Sequence, residues 1–164
     1  MNQHYCQTNT RIDHIAIAVK DIESAIILYR DIFGFKLLKR REVEGEFSGM
    51  ISAEFEVGSF SIVLVQGTSP ESQVSRYIEK YGPGVQHVAI TVNDVEKFSD
   101  TLRKTGIDFC TDVIKGDGLI QIFTKRDDNS GMMFEFIQRM PNVQGFQTNN
   151  IQQLFEQLEA QSAY

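Results

Sequence analysis

An eleven-residue stretch occurs twice in this chain, every paired position 73 residues apart. The first copy reads Asp13-His14-Ile15-Ala16-Ile17-Ala18-Val19-Lys20-Asp21-Ile22-Glu23. The second reads Gln86-His87-Val88-Ala89-Ile90-Thr91-Val92-Asn93-Asp94-Val95-Glu96. Each copy starts with a histidine near the head of an alternating strand and ends at an acidic helix start. Duplicated units that cannot bury their own sheet face must pack together. The repeat therefore predicts an α+β fold: two βαβββ modules whose sheets form one curved metal-binding cup, with a C-terminal helix added.

The order of elements follows from periodicity. Ile15, Ile17 and Val19 alternate with His14, Ala16 and Ala18, so one strand face is bulky and the other is small beside the histidine. Asp21 caps a helix whose apolar positions Ile22, Ala25, Ile26 and Tyr29, extended by Ile32 and Phe33, keep helical spacing up to Gly34. Strands follow at 35–43, 51–57 and 60–65. Ser69-Pro70-Glu71 reads as the start of a short helix ending at Gly82. The second module repeats the plan, with a strand at 85–92, a helix at 94–105, and strands at 107–110, 119–125 and 132–138. Ile151, Leu154, Phe155 and Leu158 mark a terminal helix. The expected divisions are a tail at 1–10, modules at 11–67 and 85–140, a linker helix at 68–84, and a loop with a lid helix at 141–164.

Composition narrows the function. Net charge is −6, and Lys39-Arg40-Arg41 is the one basic cluster, read as a solvated strand end, so no nucleic-acid partner is expected. No apolar run reaches 18 residues and the first ten are polar, so neither a membrane span nor a signal peptide is expected. Cys6 and Cys110 are too few for a disulfide framework. A cytoplasmic location follows as the expectation.

A lone histidine on an apolar strand is more often a core or surface residue than a ligand. Two at matched repeat positions share nothing beyond the core pattern except the imidazole. Glu135 sits between Phe134 and Phe136 in mid-strand. It is either a solvent-facing residue of an edge strand or a buried acid that needs a partner, which a dication would supply. Gly34 and Gly106 lie 72 residues apart, and the same offset sets Glu135 on Val63. The expected metal set is thus His14, His87 and Glu135, with Val63 where a fourth ligand would stand. Two imidazoles and a carboxylate suit Fe(II) with adjacent open positions, and also a catalytic zinc.

These residues resemble the vicinal oxygen chelate superfamily. Gly84-Val85-Gln86-His87, the run 119–125, the run 134–139 and Gly145-Phe146…Asn150…Leu154-Phe155 are similar to the carboxy-terminal catalytic half of the 4-hydroxyphenylpyruvate dioxygenases and 4-hydroxymandelate synthases. The likeness covers residues 11 to about 160. It implies Fe(II) on His14, His87 and Glu135, with Zn, Co, Mn and Ni as alternatives. It implies a dioxygenase acting on a small 2-oxo acid and dioxygen, with a homodimer as the expected assembly. Gln121 and Gln86 fall at catalytic glutamine positions, Gln73 deeper in the pocket and Ser52 at a polar position. Phe123 and Phe146 fall at aromatic walls and Asn150 at the start of the gating helix. Gln66, Ile151 and Met133 stand where the family has an asparagine, a phenylalanine and another aromatic. The alternative implied is an isomerase or lyase of the methylmalonyl-CoA epimerase or glyoxalase type. A non-enzymatic binder like the bleomycin-resistance proteins would lack the metal set.

Overall fold

The computed structural model describes residues 10–116, 118–141 and 148–160, less the side chains of 148 and 149. Its strands are β1 (Ile12–Ala18), β2 (Lys36–Glu44), β3 (Gly49–Val57), β4 (Phe60–Gly67), β5 (Gly84–Thr91), β6 (Ile114–Lys115), β7 (Leu119–Phe123) and β8 (Phe134–Arg139). The helices are α1 (Ile22–Ile26), α2 (Gln73–Tyr81), α3 (Val95–Lys104) and α4 (Thr148–Ala160). All eight strands form one mixed sheet, ordered β2-β3-β4-β1-β5-β8-β7-β6. It curls into a half-barrel cup, the α+β architecture expected from the repeat. Among the described residues no helix is long and apolar enough to cross a membrane.

The repeat fixes the registers. The lead strands β1 and β5 pair antiparallel at the centre. Each lead strand pairs parallel with the last strand of its own module, β1 with β4 and β5 with β8. Ala16 lies opposite Val63, and its repeat partner Ala89 lies opposite Glu135. Position 63 in the first module is therefore the structural counterpart of position 135 in the second. The helix starts repeat as well. Asp21 accepts from Ser24 N and Asp94 from Lys97 N. Gln66 Oε1 accepts from Ile22 N at 2.6 Å and Gln138 Oε1 from Val95 N at 3.1 Å. These acceptors satisfy amide groups that a helix start leaves open.

Two apolar layers flank the first module's sheet. On the convex side Ile22 and Ile26 pack on Ala53, Phe55 and Leu64. Inside the cup Ala18, Val43, Met50 and Val65 meet Val74 and Tyr77 of α2 and Ile151 and Phe155 of α4. Phe155 is fully buried, and such burial contributes roughly 2–3 kcal/mol, so α4 is held as part of the body.

Several local expectations differ from the structure. The first helix stays α-helical only to Ile26 and continues as a π-helix over Ile27–Ile32. Tyr29 still packs on Phe55, but past the wider turn Ile32 and Phe33 are exposed. Ser69-Pro70-Glu71 forms a turn, and Ser72 caps α2 instead. The strand expected at 107–110 shrinks to one bridge, Phe109 with Thr124. The second module's outer strand is instead the two-residue β6, because its antiparallel ladder to β7 holds only Ile114–Gln121 and Lys115–Ile120.

Candidate metal centre

Two β-bulges shape the cup floor. Between β1 and β5, Ile12 faces Ile90 and His14 faces Ala89, so Asp13 is an extra residue. Likewise Ala16 faces His87 and Ile17 faces Val85, which leaves Gln86 as the extra one. A bulge bends the strand and re-aims the side chains around it. Each module thus bulges at the residue just before its histidine. Each bulged side chain becomes the outer partner of that ring: Asp13 Oδ1 lies 3.0 Å from His14 Nδ1, and Gln86 Oε1 accepts from His87 Nδ1. With both Nδ1 atoms engaged, each Nε2 is turned to the cup.

The inner atoms converge. His14 Nε2 is 3.2 Å from His87 Nε2 and 3.0 Å from Glu135 Oε2, and His87 Nε2 is 3.4 Å from the same oxygen. Adjacent ligands of an octahedral ion at about 2.1 Å stand about 3.0 Å apart, and tetrahedral ones about 3.4 Å. All three residues are buried, and Glu135 Oε1 has no hydrogen-bond partner among the described residues. A buried, half-satisfied carboxylate beside two aimed imidazoles fits a divalent cation.

The charges agree. Burial alone would raise Glu135, but the two histidines hold it down at about 2. Burial disfavours a His14 cation, yet Glu135 and Asp13 outweigh it and push the imidazole up to about 9. Burial holds His87 below its ordinary value; Glu135 works against this, and His14 and Arg126 work with it. Burial would raise Asp13, but Arg139 and His14 hold it well below the usual carboxylate range. Arg139 grips Asp13 through Nε at 2.5 Å and Nη2 at 2.7 Å. Without metal, one proton therefore sits on His14 between two carboxylates.

A cavity of about 60 Å³ is lined by His14, His87 and Glu135, and also by Ala16, Arg41, Met50, Ser52, Val63, Val65, Gln121, Ile151 and Leu154. Of the residues expected around the metal, Ser52, Gln121 and Ile151 are in this wall, and Val63 stands there without a ligand atom. Gln121 Nε2 donates to Asn150 O at 3.4 Å, tying the floor to the first turn of α4. Phe123 is buried and edges onto the His87 ring, with centroids 5.1 Å apart. Gln86 holds His87 from behind. Met133, Gln73 and Asn150 are buried but lie outside the cavity wall. Gln66 points to the helix-packed side, where it serves the start of α1. Phe146 lies outside the described residues. A larger cleft of about 370 Å³ is lined by Asp13, Glu54 and Arg139 and has no lining residue in common with this cavity.

Sequence reasoning missed Arg41. Beside Lys39 and Arg40 it reads as part of a solvated strand end, yet it is buried and pairs with buried Glu54 at 3.0 Å. Strand alternation with buried Val43 was the available signal.

The helix α4 roofs the cup through two glycines in equivalent loops. A Cβ at Gly45 would meet Phe155 at 2.7 Å, and one at Gly116 would meet the Asn150 carboxamide at 1.3 Å. Only a glycine lets the backbone approach this closely.

Comparison with known proteins agrees with this architecture. The family described as the Glyoxalase/Bleomycin resistance protein/Dioxygenase superfamily matches residues 11–136. A 4-hydroxyphenylpyruvate dioxygenase of Legionella pneumophila is 29% identical over 188 residues, covering 92% of this chain and 53% of that protein. Among solved structures, a 4-hydroxymandelate synthase mutant from Streptomyces coelicolor superposes with a TM-score of 0.82 at 22% identity, over 92% of this chain and 54% of that one. A methylmalonyl-CoA epimerase from Mycobacterium tuberculosis gives 0.68 at 26% identity, over 79% and 88%. The chain spans about half the length of the first curated relatives it matches. With the match running over residues 11–136, through both modules of the cup, the chain belongs to the glyoxalase/bleomycin resistance/dioxygenase superfamily.

Proposed function

We propose that this protein is a cytoplasmic non-haem Fe(II) dioxygenase acting on a small 2-oxo acid. The observation that carries the reading is the triad of His14, His87 and Glu135 with Val63 at the fourth position. Bound Fe(II) would offer adjacent open sites where a 2-oxo acid and dioxygen meet and electrons can pass. The residues do the rest. Asp13 and Gln86 fix the imidazole tautomers, and Arg139 fixes Asp13. Gln121 orients the polar part of the substrate. Ile151 and Leu154 of α4 exclude water as a lid. The cavity holds roughly a few waters' worth of space, which suits a short acid better than an aromatic one. The same donor set would also accept Zn, Co, Mn or Ni.

The test is metal analysis of anaerobically purified protein, followed by an oxygen-uptake screen over 2-oxo acids. The reading expects about one iron per chain and uptake with a short acid. A second reading, an epimerase or glyoxalase-type isomerase or lyase, draws support from the epimerase likeness along nearly the whole of that enzyme. Turnover with cobalt or zinc and no oxygen consumption would select it.

A further inference from the structure

The cavity has a second polar pole. His14 and His87 rise from β1 and β5 at the centre of the sheet, whereas Arg41 comes from β2 at its edge. Three strand spacings separate β1 from β2, about 14 Å along a flat sheet. The curl of the cup and the length of the arginine bring both into the wall of one cavity. Arg41 lies opposite Ser52 on β3, and the buried Ser52 side chain lines the same wall. Between the poles the wall is apolar, with Ala16, Met50, Val65 and Leu154.

A buried ion pair is a poor way to gain stability. An apolar pair of similar volume usually does as well or better, because both charges lose their water. The Arg41–Glu54 pair stands with side chains 7% and 4% exposed, and its arginine faces the metal cavity. A guanidinium carries five donors in a planar fork, enough to hold Glu54 on one side and a second carboxylate on another. Glu54 fixes the fork and offsets its charge while the cavity is empty of substrate.

We propose that Arg41, with Ser52 beside it, receives a second carboxylate of the substrate. The substrate class is then 2-oxo acids with an acidic group at the end remote from the metal and a short alkyl segment between. This rests on the metal-chelation reading above, and it assigns the far end of the same site. The ligand has to match two poles at once, so a monocarboxylic oxo acid of equal length forfeits one charge-assisted contact.

The test is calorimetric titration of the cobalt(II)-loaded full chain with three probes: 2-oxopentanedioate, 2-oxopentanoate and pentanedioate. Wild-type protein should bind the oxo diacid at least about tenfold more tightly than the oxo monoacid, as one charged hydrogen-bonded contact requires. In the double variant Arg41→Gln, Glu54→Gln, where two amides replace the ion pair, that preference of the oxo diacid over the oxo monoacid should fall to within about twofold. Arg41→Lys keeps Glu54 paired and loses the fork, so it should retain only part of the preference. Thermal unfolding of each sample confirms that it is folded. Equal binding of the two oxo acids by wild-type protein, or an undiminished preference in both variants, overturns the Arg41 assignment and leaves chelation standing. Pentanedioate binding as tightly as 2-oxopentanedioate overturns chelation and leaves the Arg41 site standing.

Discussion

The two modules share a backbone plan and differ in chemistry at two matched positions. The last strand of the second module places Glu135 opposite Ala89, and the same place in the first module holds Val63 opposite Ala16. Before the histidines, the first module has Asp13 where the second has Gln86. If the triad holds a metal, as proposed, the first difference leaves it three protein donors. The second sets the charge of the ligands: a carboxylate gripped by Arg139 stands behind His14, and a neutral amide behind His87. The proton of the metal-free site therefore lies on one ring and not the other. Symmetry built the cup, and its breaking at these two positions made the cup a directional site.

The comparison breaks most completely if the second module is made like the first. Glu135→Val should abolish metal binding near neutral pH. Structural sites bind zinc by about 10–16 kcal/mol over four ligands, so one ligand is worth about 3 kcal/mol, at least a hundredfold in affinity. Metal analysis after dialysis checks this, with thermal unfolding to show that the fold persists.

The outer partners come next. Asp13→Asn should weaken metal binding by about 10–100-fold, the usual cost of losing an outer-shell carboxylate. Gln86→Leu should cost less, because a neutral amide adds little charge to its ring. Equal losses from the two would deny that the modules differ in this way.

Acidity gives a third test. His14 is held at about 9 in the metal-free protein, so at pH 7 the cation must displace a proton from it. His87 is shifted down and contributes none. Metal affinity should rise about tenfold per pH unit between about pH 6 and 8, and titration in buffers of different ionisation enthalpy should show about one proton released. The metal-free fold carries the opposite dependence. A raised histidine stabilises it fully below the ordinary imidazole value, and that contribution is lost as pH rises through about 9. Glu135, held at about 2, stabilises above the ordinary carboxylate range and loses its contribution as pH falls through that value.

The smallest effect concerns the roof. Gly116→Ala would push a methyl into Asn150, a strain of about 1–3 kcal/mol. Amide exchange over residues 148–160 should quicken while the two modules stay protected. Gly45→Ala should act alike from the other rim through Phe155. Loss of protection across the whole sheet would show that strain at the roof is carried into both modules.

Much of this was legible in the sequence, for reasons that can be named. The histidine offset and the glycine offset differ by one residue, and together they gave the register that pairs position 63 with position 135. Alternation put His14 on the small-residue face. What stayed hidden depends on contacts between distant strands. Gln66 looks like a pocket residue until β4 is seen to turn it toward α1. Arg41 looks solvated until β2 is laid against Ser52 and Glu54 in the folded cup. The π-helical turn at Ile27–Ile32 leaves no mark in an apolar pattern that reads as ordinary helix. The bulges at Asp13 and Gln86 are likewise invisible along one strand, because a bulge exists only relative to its neighbour.

The central claim is that Val63 keeps the centre at three ligands so that oxygen chemistry can occur. Val63→Glu supplies the missing counterpart of Glu135. Metal content, thermal stability and oxygen consumption should be measured on one anaerobically prepared, iron-loaded sample, since a new buried charge also carries a folding cost. The account predicts a folded protein with iron content equal to or above wild type and no oxygen uptake with the wild-type substrate. A folded, iron-loaded variant that still consumes oxygen with that substrate would contradict it.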